Sequence, residues 1–177
     1  MAPAQAVIRM IERRDHLLMH RVHRWFAPRW VRLWMIAATR GGDGWLWYAL
    51  GLALLVLGGE QGQRAVLQSS LAAGVGVALF LLLKRATRRR RPCAIEPHCW
   101  ATLLPPDHFS FPSGHTITAF AVAVPVIAQF PGSAPGVLFC ALSIAASRVL
   151  LGMHFLSDVL AGAVIGSLLG WLASAPI

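Results

Sequence analysis

The chain has 177 residues, a length that suits one domain. Hydrophobic residues make up 56% and charged residues 13%, about half the charged share of soluble domains, which excludes an ordinary soluble fold. Sixteen Lys and Arg against seven Asp and Glu give a net charge of +9. Because the basic residues lie outside long uncharged runs, they indicate anionic lipid headgroups or a phosphorylated substrate rather than nucleic acid.

Residues 1–43 are rich in Arg, His and Trp. A charge recurs every few residues, so this segment is not expected to cross a bilayer. Its mixture of aromatic residues and arginines favours a helix lying among the lipid headgroups over a solvated basic tail. We therefore predict an interfacial amphipathic segment over 1–43, followed by a membrane domain over 44–177.

Uncharged runs follow this segment, and they predict an all-α polytopic membrane helix bundle. The run over 116–147 is divided by a turn signal between Pro131 and Gly136, so it provides two helices. In the last run, Gly162, Gly166 and Gly170 recur every four residues, a spacing that lets membrane helices pack closely. The five predicted transmembrane helices lie near 44–60, 64–84, 113–131, 136–152 and 154–174.

Three clusters of polar and ionisable residues lie at the ends of these helices. The first, 84–92, follows the second helix; the second, 111–115, opens the third; the last, 147–158, joins the fourth to the fifth. Counting helices places all three on the same side of the membrane. Since ionisable groups are costly at such positions unless they have partners or a function, we predict that the clusters form one site.

The residue types in these clusters suit phosphoryl transfer. Lys84, Arg91 and Arg148 supply cations for phosphate oxygens, and arginine offers a two-pronged donor. Ser113 and Gly114 begin a predicted helix, where backbone N–H groups and a hydroxyl can bind an anion. We predict that these five residues bind the phosphate.

Two histidines and a carboxylate are candidates for the catalytic groups. His154 and Asp158 are four residues apart, so on one helix they share a face. The carboxylate can then hold one imidazole nitrogen and leave the other free to attack. His115 could protonate the leaving oxygen. Arg148 and His154 are six residues apart, and Gly152 between them predicts a helix break that lets both face one phosphate.

The remaining polar residues of the loop after the second helix carry weaker signals. We interpret Arg88, Arg89 and Arg90 as an electrostatic anchor to the membrane surface. Cys93 and Cys99 share one loop and could form a disulfide in an oxidising compartment. Their spacing around His98 matches no common zinc pattern, and we predict neither a metal site nor a cofactor.

The three clusters together resemble the signature of the type 2 phosphatidic acid phosphatase (PAP2) superfamily, which also includes vanadium haloperoxidases. Its motif Lys-x6-Arg-Pro matches 84–92, and Pro-Ser-Gly-His matches 112–115 without change. Its motif Ser-Arg-x5-His-x3-Asp matches 147–158 with no spacing error. The resemblance covers the predicted helical core from about residue 44 to 175 and leaves out the first 43 residues.

The resemblance implies a metal-independent phosphatase with a phosphohistidine intermediate on His154. Asp158 would orient that histidine, and His115 would act first as acid and then as base. The phosphoryl oxygens would be bound by Lys84, Arg91, Ser113, Gly114 and Arg148. Five helices with an interfacial N-terminal segment look like the short bacterial undecaprenyl-diphosphatase branch of the superfamily.

The favoured function is therefore hydrolysis of a polyprenyl diphosphate, such as undecaprenyl diphosphate to undecaprenyl phosphate. Phosphatidylglycerophosphate and phosphatidate are alternative substrates because the enzymes that act on them share the motifs. A membrane phosphatase for soluble esters and a non-catalytic lipid-binding or lipid-flipping protein are further alternatives. Haloperoxidase activity is a minor one, since that branch is soluble. The sequence leaves the oligomeric state open.

Two arguments disagree about which side of the membrane the site faces. Fifteen Lys and Arg lie on the predicted side of the active site and only Arg64 on the other, so the positive-inside rule places the site in the cytoplasm. Several of those cations are needed for phosphate, however, and the relatives that recycle a lipid carrier face outward. We favour a bacterial inner-membrane protein whose active site faces the periplasm.

Overall fold

The computed structural model describes residues 3–95 and 108–175, which are almost entirely helical and contain no β-strand beyond an isolated bridge between Arg90 and Phe109. A π-helical turn over Gly41–Trp45 joins the second helix to the third, and a 3-10 turn over Pro131–Ser133 precedes the seventh. The helices are α1 Pro3–Arg24, α2 Arg29–Arg40, α3 Leu46–Leu57, α4 Gly59–Thr87, α5 Pro92–Ile95, α6 Gly114–Gln129, α7 Ala134–Leu150 and α8 Leu156–Ser174. His98 and Cys99 lie outside the described residues, and with them the possible disulfide and zinc site.

The predicted all-α membrane bundle is confirmed. Within the described ranges, three helical segments are long and apolar enough to cross a membrane, judged by length and composition: Gly59–Thr87, Pro131–Leu150 and Leu156–Ser174. They correspond to the second, fourth and fifth predicted spans. The third is the shorter apolar helix Gly114–Gln129, which lies at the centre of the bundle and contacts α4, α7 and α8. The chain is an integral membrane protein.

The first predicted span is built differently from the expectation. Its helix α3 has only 12 residues, but α2 runs into it through the π-helical turn, which contains a kink at Gly44 with φ 124°. Helical structure therefore continues through residue 43, where the sequence predicted a domain boundary. Gly42 fixes this turn against the bundle, because a Cβ there would lie 2.9 Å from Ile144 Cγ2 and 3.0 Å from His115 Cδ2. The division at residue 43 stays a prediction.

Helices α6 and α8 approach each other along the predicted stripe of small residues. A Cβ on Gly166 would lie 2.3 Å from the carbonyl oxygen of Ile117. On Gly162 it would lie 2.9 Å from the carbonyl oxygen of Ser113, a residue of the predicted phosphate site. The close packing expected from the four-residue spacing is thus present, and it ties the register of α8 to the start of α6.

We expect Gly166→Ala to lower the stability of the bundle, because the added methyl group meets backbone that cannot move aside. Overpacking of this kind costs about 1–3 kcal/mol, and thermal unfolding in detergent measures it. Gly136→Ala on α7 is the matched control, since a Cβ there meets nothing within 4 Å. An equal midpoint for the two variants would show that the approach of α6 and α8 is not a tight constraint.

Candidate active site

The three clusters predicted from the sequence meet in one cavity of about 320 Å³ at one end of the bundle. Six of the eight predicted site residues line it: Lys84, Arg91, Gly114, His115, Arg148 and His154. The other two, Ser113 and Asp158, are fully buried and bonded to each other through the Ser113 N–H and the Asp158 carbonyl, at 3.1 Å. This arrangement is consistent with the prediction that the helix ends bring these residues together on one side of the membrane.

Three cations converge on the cavity with little contact with solvent. Lys84, in the last turn of α4, is 7% exposed, Arg91 2% and Arg148 3%. The guanidinium of Arg91 donates to the carbonyl of Met153 at 2.9 Å, and that of Arg148 donates to the hydroxyl of Thr39. Buried cations are unfavourable unless an anion compensates them. The cavity therefore suits a phosphate group.

The loop between α7 and α8 turns His154 back towards Arg148. Helix α7 ends at Leu150, and Gly152 adopts φ 66°, a left-handed conformation that favours glycine. The N–H groups of Met153 and His154 both donate to the carbonyl of Arg148 at 3.0 Å. The break expected at Gly152 is confirmed, and it places His154 and Arg148 in the same cavity.

His154 and Asp158 do not share a helix as the sequence suggested, because α8 begins only at Leu156. Asp158 instead folds back over the helix start, and its Oδ2 accepts the N–H of Phe155 at 2.8 Å. The same oxygen lies 3.7 Å from Nδ1 of His154. The pair is formed across a helix N-terminus, with the carboxylate on the first turn and the imidazole just before it.

The hydrogen bonds of His154 indicate which nitrogen can attack. Its Nε2 lies 3.1 Å from Nη1 of Arg91, and a guanidinium only donates, so Nε2 is the acceptor. The proton is therefore assigned to Nδ1, on the side of Asp158. Burial lowers the pKa of His154 well below its usual value, the cations Arg148, Arg91 and Lys84 lower it further, and a backbone group of Ser110 partly opposes them. A neutral imidazole thus presents the Nε2 lone pair to the cationic cavity.

The start of α6 brings the second histidine to the same cavity. Nε2 of His115 lies 2.7 Å from Oδ1 of Asp43, in the turn between α2 and α3. The hydroxyl of Ser113, which precedes this helix, accepts a hydrogen bond from Thr116 at 2.9 Å. Gly114 packs closely against the ring of Phe80: a Cβ on this residue would lie only 3.1 Å from the ring. One face of the cavity is thus formed by His115, a candidate acid–base group, at the N-terminus of α6.

Comparison with known proteins identifies the family. The sequence model of the PAP2 superfamily matches residues 65–175. The chain belongs to the PAP2 superfamily. It is 32% identical over 140 residues to decaprenylphosphoryl-5-phosphoribose phosphatase of Mycobacterium tuberculosis, with 77% of each chain covered. It is 30% identical over 147 residues to lipid A 1-phosphatase of Rhizobium johnstonii, covering 72% of this chain and 59% of that protein.

The fold of this PAP2 chain is also that of a solved membrane phosphatase. The crystal structure of a transmembrane PAP2 type phosphatidylglycerolphosphate phosphatase from Bacillus subtilis matches it with a TM-score of 0.71 at 24% identity. The match covers 93% of this chain and 84% of that one. By the family match and the named phosphatases among its relatives, the chain is a membrane phosphatase of the PAP2 superfamily, and the resemblance drawn from its motifs is confirmed.

The sequence analysis missed four residues that support the PAP2 site. Asp43 pairs with His115, Thr39 with Arg148, and Asp15 with Arg89. Arg89, interpreted from sequence as a membrane anchor, instead donates to Asp158 at 2.6 Å. One signal was available: Asp15 and Asp43 are rare acidic residues within a strongly basic segment, a setting that favours ion pairs.

Proposed function

We propose that the chain is a lipid phosphatase in which His154 is the nucleophile. The observation that carries this is the position of His154, which lines one cavity with three buried cations and has its Nε2 3.1 Å from Nη1 of Arg91. Nε2 attacks phosphorus while His115 protonates the oxygen that leaves, which yields a phosphohistidine. His115, now a base, removes a proton from the water that attacks this intermediate, and inorganic phosphate is released. The roles of the predicted binding residues belong to this proposal.

The three cations and Asp158 also have a place in this reaction. Lys84, Arg91 and Arg148 hold the phosphoryl oxygens and stabilise the charge that develops on them. The carboxylate of Asp158 faces the imidazole nitrogen that keeps its proton, so it favours the positive charge that His154 acquires on transfer. A positive charge on a buried imidazole is costly without a carboxylate partner of this kind.

An apolar groove next to the phosphate cavity supports a lipid substrate over a soluble ester. It measures about 330 Å³, lies between α3, α4 and α6, and includes Trp47, Leu54 and Val122 among its lining residues. Four residues line both spaces: Gly44, Tyr48, Val77 and Thr118. When the phosphate of a lipid is bound between the cations, its hydrocarbon tail can therefore lie along the groove.

Among lipids, we favour a polyprenyl diphosphate, such as undecaprenyl diphosphate converted to undecaprenyl phosphate. The mycobacterial relative, by its name, acts on decaprenylphosphoryl-5-phosphoribose, a substrate with a decaprenyl tail, which supports a polyprenyl tail here. Phosphatidylglycerophosphate or phosphatidate is the second candidate, supported by a relative named phosphatidylglycerophosphatase B from Bacillus subtilis, 36% identical over 116 residues.

We expect the purified protein to release phosphate from polyprenyl diphosphate faster than from phosphatidylglycerophosphate, and least from water-soluble esters.

His154→Ala should abolish phosphate release, because loss of a covalent nucleophile costs several powers of ten in rate. EDTA should leave the rate unchanged, and vanadate should inhibit it. Retained turnover in His154→Ala would exclude this nucleophile. Lipid binding without phosphate release from any substrate would favour a non-catalytic lipid-binding or lipid-flipping protein.

We expect Gly74→Leu to slow hydrolysis of long-chain lipid substrates while sparing a short, water-soluble phosphate ester. Gly74 lines the groove on α4, and a Cβ there meets nothing within 4 Å, so a larger side chain fills the space where hydrocarbon would lie. Gly136→Leu is the control: Gly136 does not line the groove but a neighbouring apolar cavity, which shares Trp47 and Leu50 with the groove and no residue with the phosphate cavity. Equal losses on long and short substrates would remove the groove from the proposal.

We also propose that the protein lies in a bacterial inner membrane with its active site facing the periplasm, as expected for recycling a lipid carrier released there. Helix α8 begins beside the site at Leu156 and runs away from it. A fluorescent reporter fused after Ile177 should therefore fluoresce as a cytoplasmic protein does. Alkaline phosphatase activity at that position would instead place the active site in the cytoplasm, as the count of basic residues predicts.

A further inference from the structure

A largely buried ionic network joins Asp158 to Asp15 through Arg89, and none of the three side chains lines the phosphate cavity. The guanidinium of Arg89 donates from Nη1 to Oδ1 of Asp158 at 2.6 Å and from Nη2 to Oδ2 of Asp15 at 2.8 Å. Side-chain exposure is 0% for Asp158, 6% for Asp15 and 19% for Arg89. The guanidinium also lies over the ring of Phe155, 4.3 Å from its centre. The proposed reaction does not use Arg89 or Asp15 directly.

Asp15 is fixed to the helix turn that carries Asp158. Oδ1 of Asp15 accepts the backbone N–H of Ser157 at 3.2 Å, and its Oδ2 accepts the hydroxyl of the same serine. One turn further along α1, the fully buried Met19 packs in a cluster that includes Phe155. Helix α1 therefore docks against the first turn of α8 through both a carboxylate and an apolar contact.

The charges of the network explain why two carboxylates are present. Arg89 alone would neutralise Asp158, because a close ion pair in a buried setting has little net charge left to act on a neighbour. With Asp15 added, two carboxylates and one guanidinium carry a net charge of −1. The pKa of Arg89 reflects this: burial lowers it, but Asp158 and Asp15 raise it above the usual value overall.

We propose that Asp15 and Arg89 are positioning residues for the nucleophile and that they act through Asp158. Arg89 fixes one oxygen of Asp158, and the N–H of Phe155 fixes the other. Asp15 balances Arg89, so that Asp158 keeps its negative charge for Nδ1 of His154 while phosphoryl transfer makes that imidazole positive. This inference rests on His154 being the nucleophile of the proposed function.

The proposal assigns an active-site role to a helix outside the part of the chain that the superfamily model matches. Helix α1 precedes residues 65–175, yet its Asp15 is linked to the orienting carboxylate of Asp158 through a single bridging residue, Arg89. Neither Asp15 nor Arg89 lines the phosphate cavity. A change at Asp15 should therefore alter the rate of the chemical step and leave substrate binding nearly intact.

Asp15→Asn keeps the shape of the side chain and removes its charge. We expect kcat for phosphate release to fall roughly 10-fold to 100-fold, the size of effect that outer-shell partners of metal-binding histidines have, with KM changed less than about twofold. Glu12→Gln is the matched control, since it removes the same charge from an exposed position one turn earlier on α1. It should leave both constants unchanged.

Two further variants separate charge from structural damage. Asp15→Glu keeps the charge and should retain most of kcat. In the double variant Asp15→Asn with Arg89→Gln, Asp158 is again the one charge of the network, so kcat should exceed that of Asp15→Asn alone. The proposal is overturned if Asp15→Asn matches Glu12→Gln, if Asp15→Glu is as slow as Asp15→Asn, or if the double variant recovers nothing. Absence of phosphate release by the unmodified protein would instead overturn the proposed function.

Discussion

Three buried cations and one neutral histidine have to share a cavity, and most of the structure around the site follows from that requirement. Arg91 and Arg148 are 2% and 3% exposed, so neither can rely on bulk water to solvate its charge. Protein dipoles solvate them instead: the Met153 carbonyl for Arg91 and the Thr39 hydroxyl for Arg148. The same cations favour an unprotonated His154 and attract the oxygens of a phosphate. One electrostatic arrangement thus suits both proposed roles, the nucleophile and the phosphate-binding site.

The membrane setting decides where such a site can be built. Helices α4, α6, α7 and α8 meet with one set of their ends around the cavity, so charged groups lie at helix ends rather than along lipid-facing surfaces. The close approach of α6 and α8 at Gly162 and Gly166 holds Ser113 against Asp158. A packing feature of two apolar helices therefore fixes the distance between two polar groups of the site.

The N-terminal helices α1 and α2 and the turn after α2 contact three residues of the candidate site. Thr39 reaches Arg148, Asp43 reaches His115, and Asp15 reaches Asp158 through Arg89. All three lie before the region shared with the superfamily model. The motifs shared with the PAP2 superfamily and the segment that supports the candidate site in this chain thus lie in separate parts of the sequence.

The sequence by itself determined the helical membrane class and predicted eight candidate site residues, because both depend on local patterns. Uncharged runs predict spans through composition alone, and fixed motif spacings at helix ends bring Lys84, His115 and His154 to one side without any knowledge of packing. Gly152 predicted the break after α7 because a positive φ favours glycine. These properties need only neighbouring residues and the thickness of a bilayer.

Only the tertiary structure decided which residues stand behind the site. Arg88, Arg89 and Arg90 look alike in sequence, yet Arg89 pairs with Asp158 and Asp15 because the chain turns after α4 towards the start of α8. In the same way, helical structure continues after α2 through residue 43 because the glycines of the π-helical turn let the chain bend and pack against α6 and α7. Contacts such as Asp15 with Ser157, 142 residues apart, depend on how helices dock, and no local pattern specifies that.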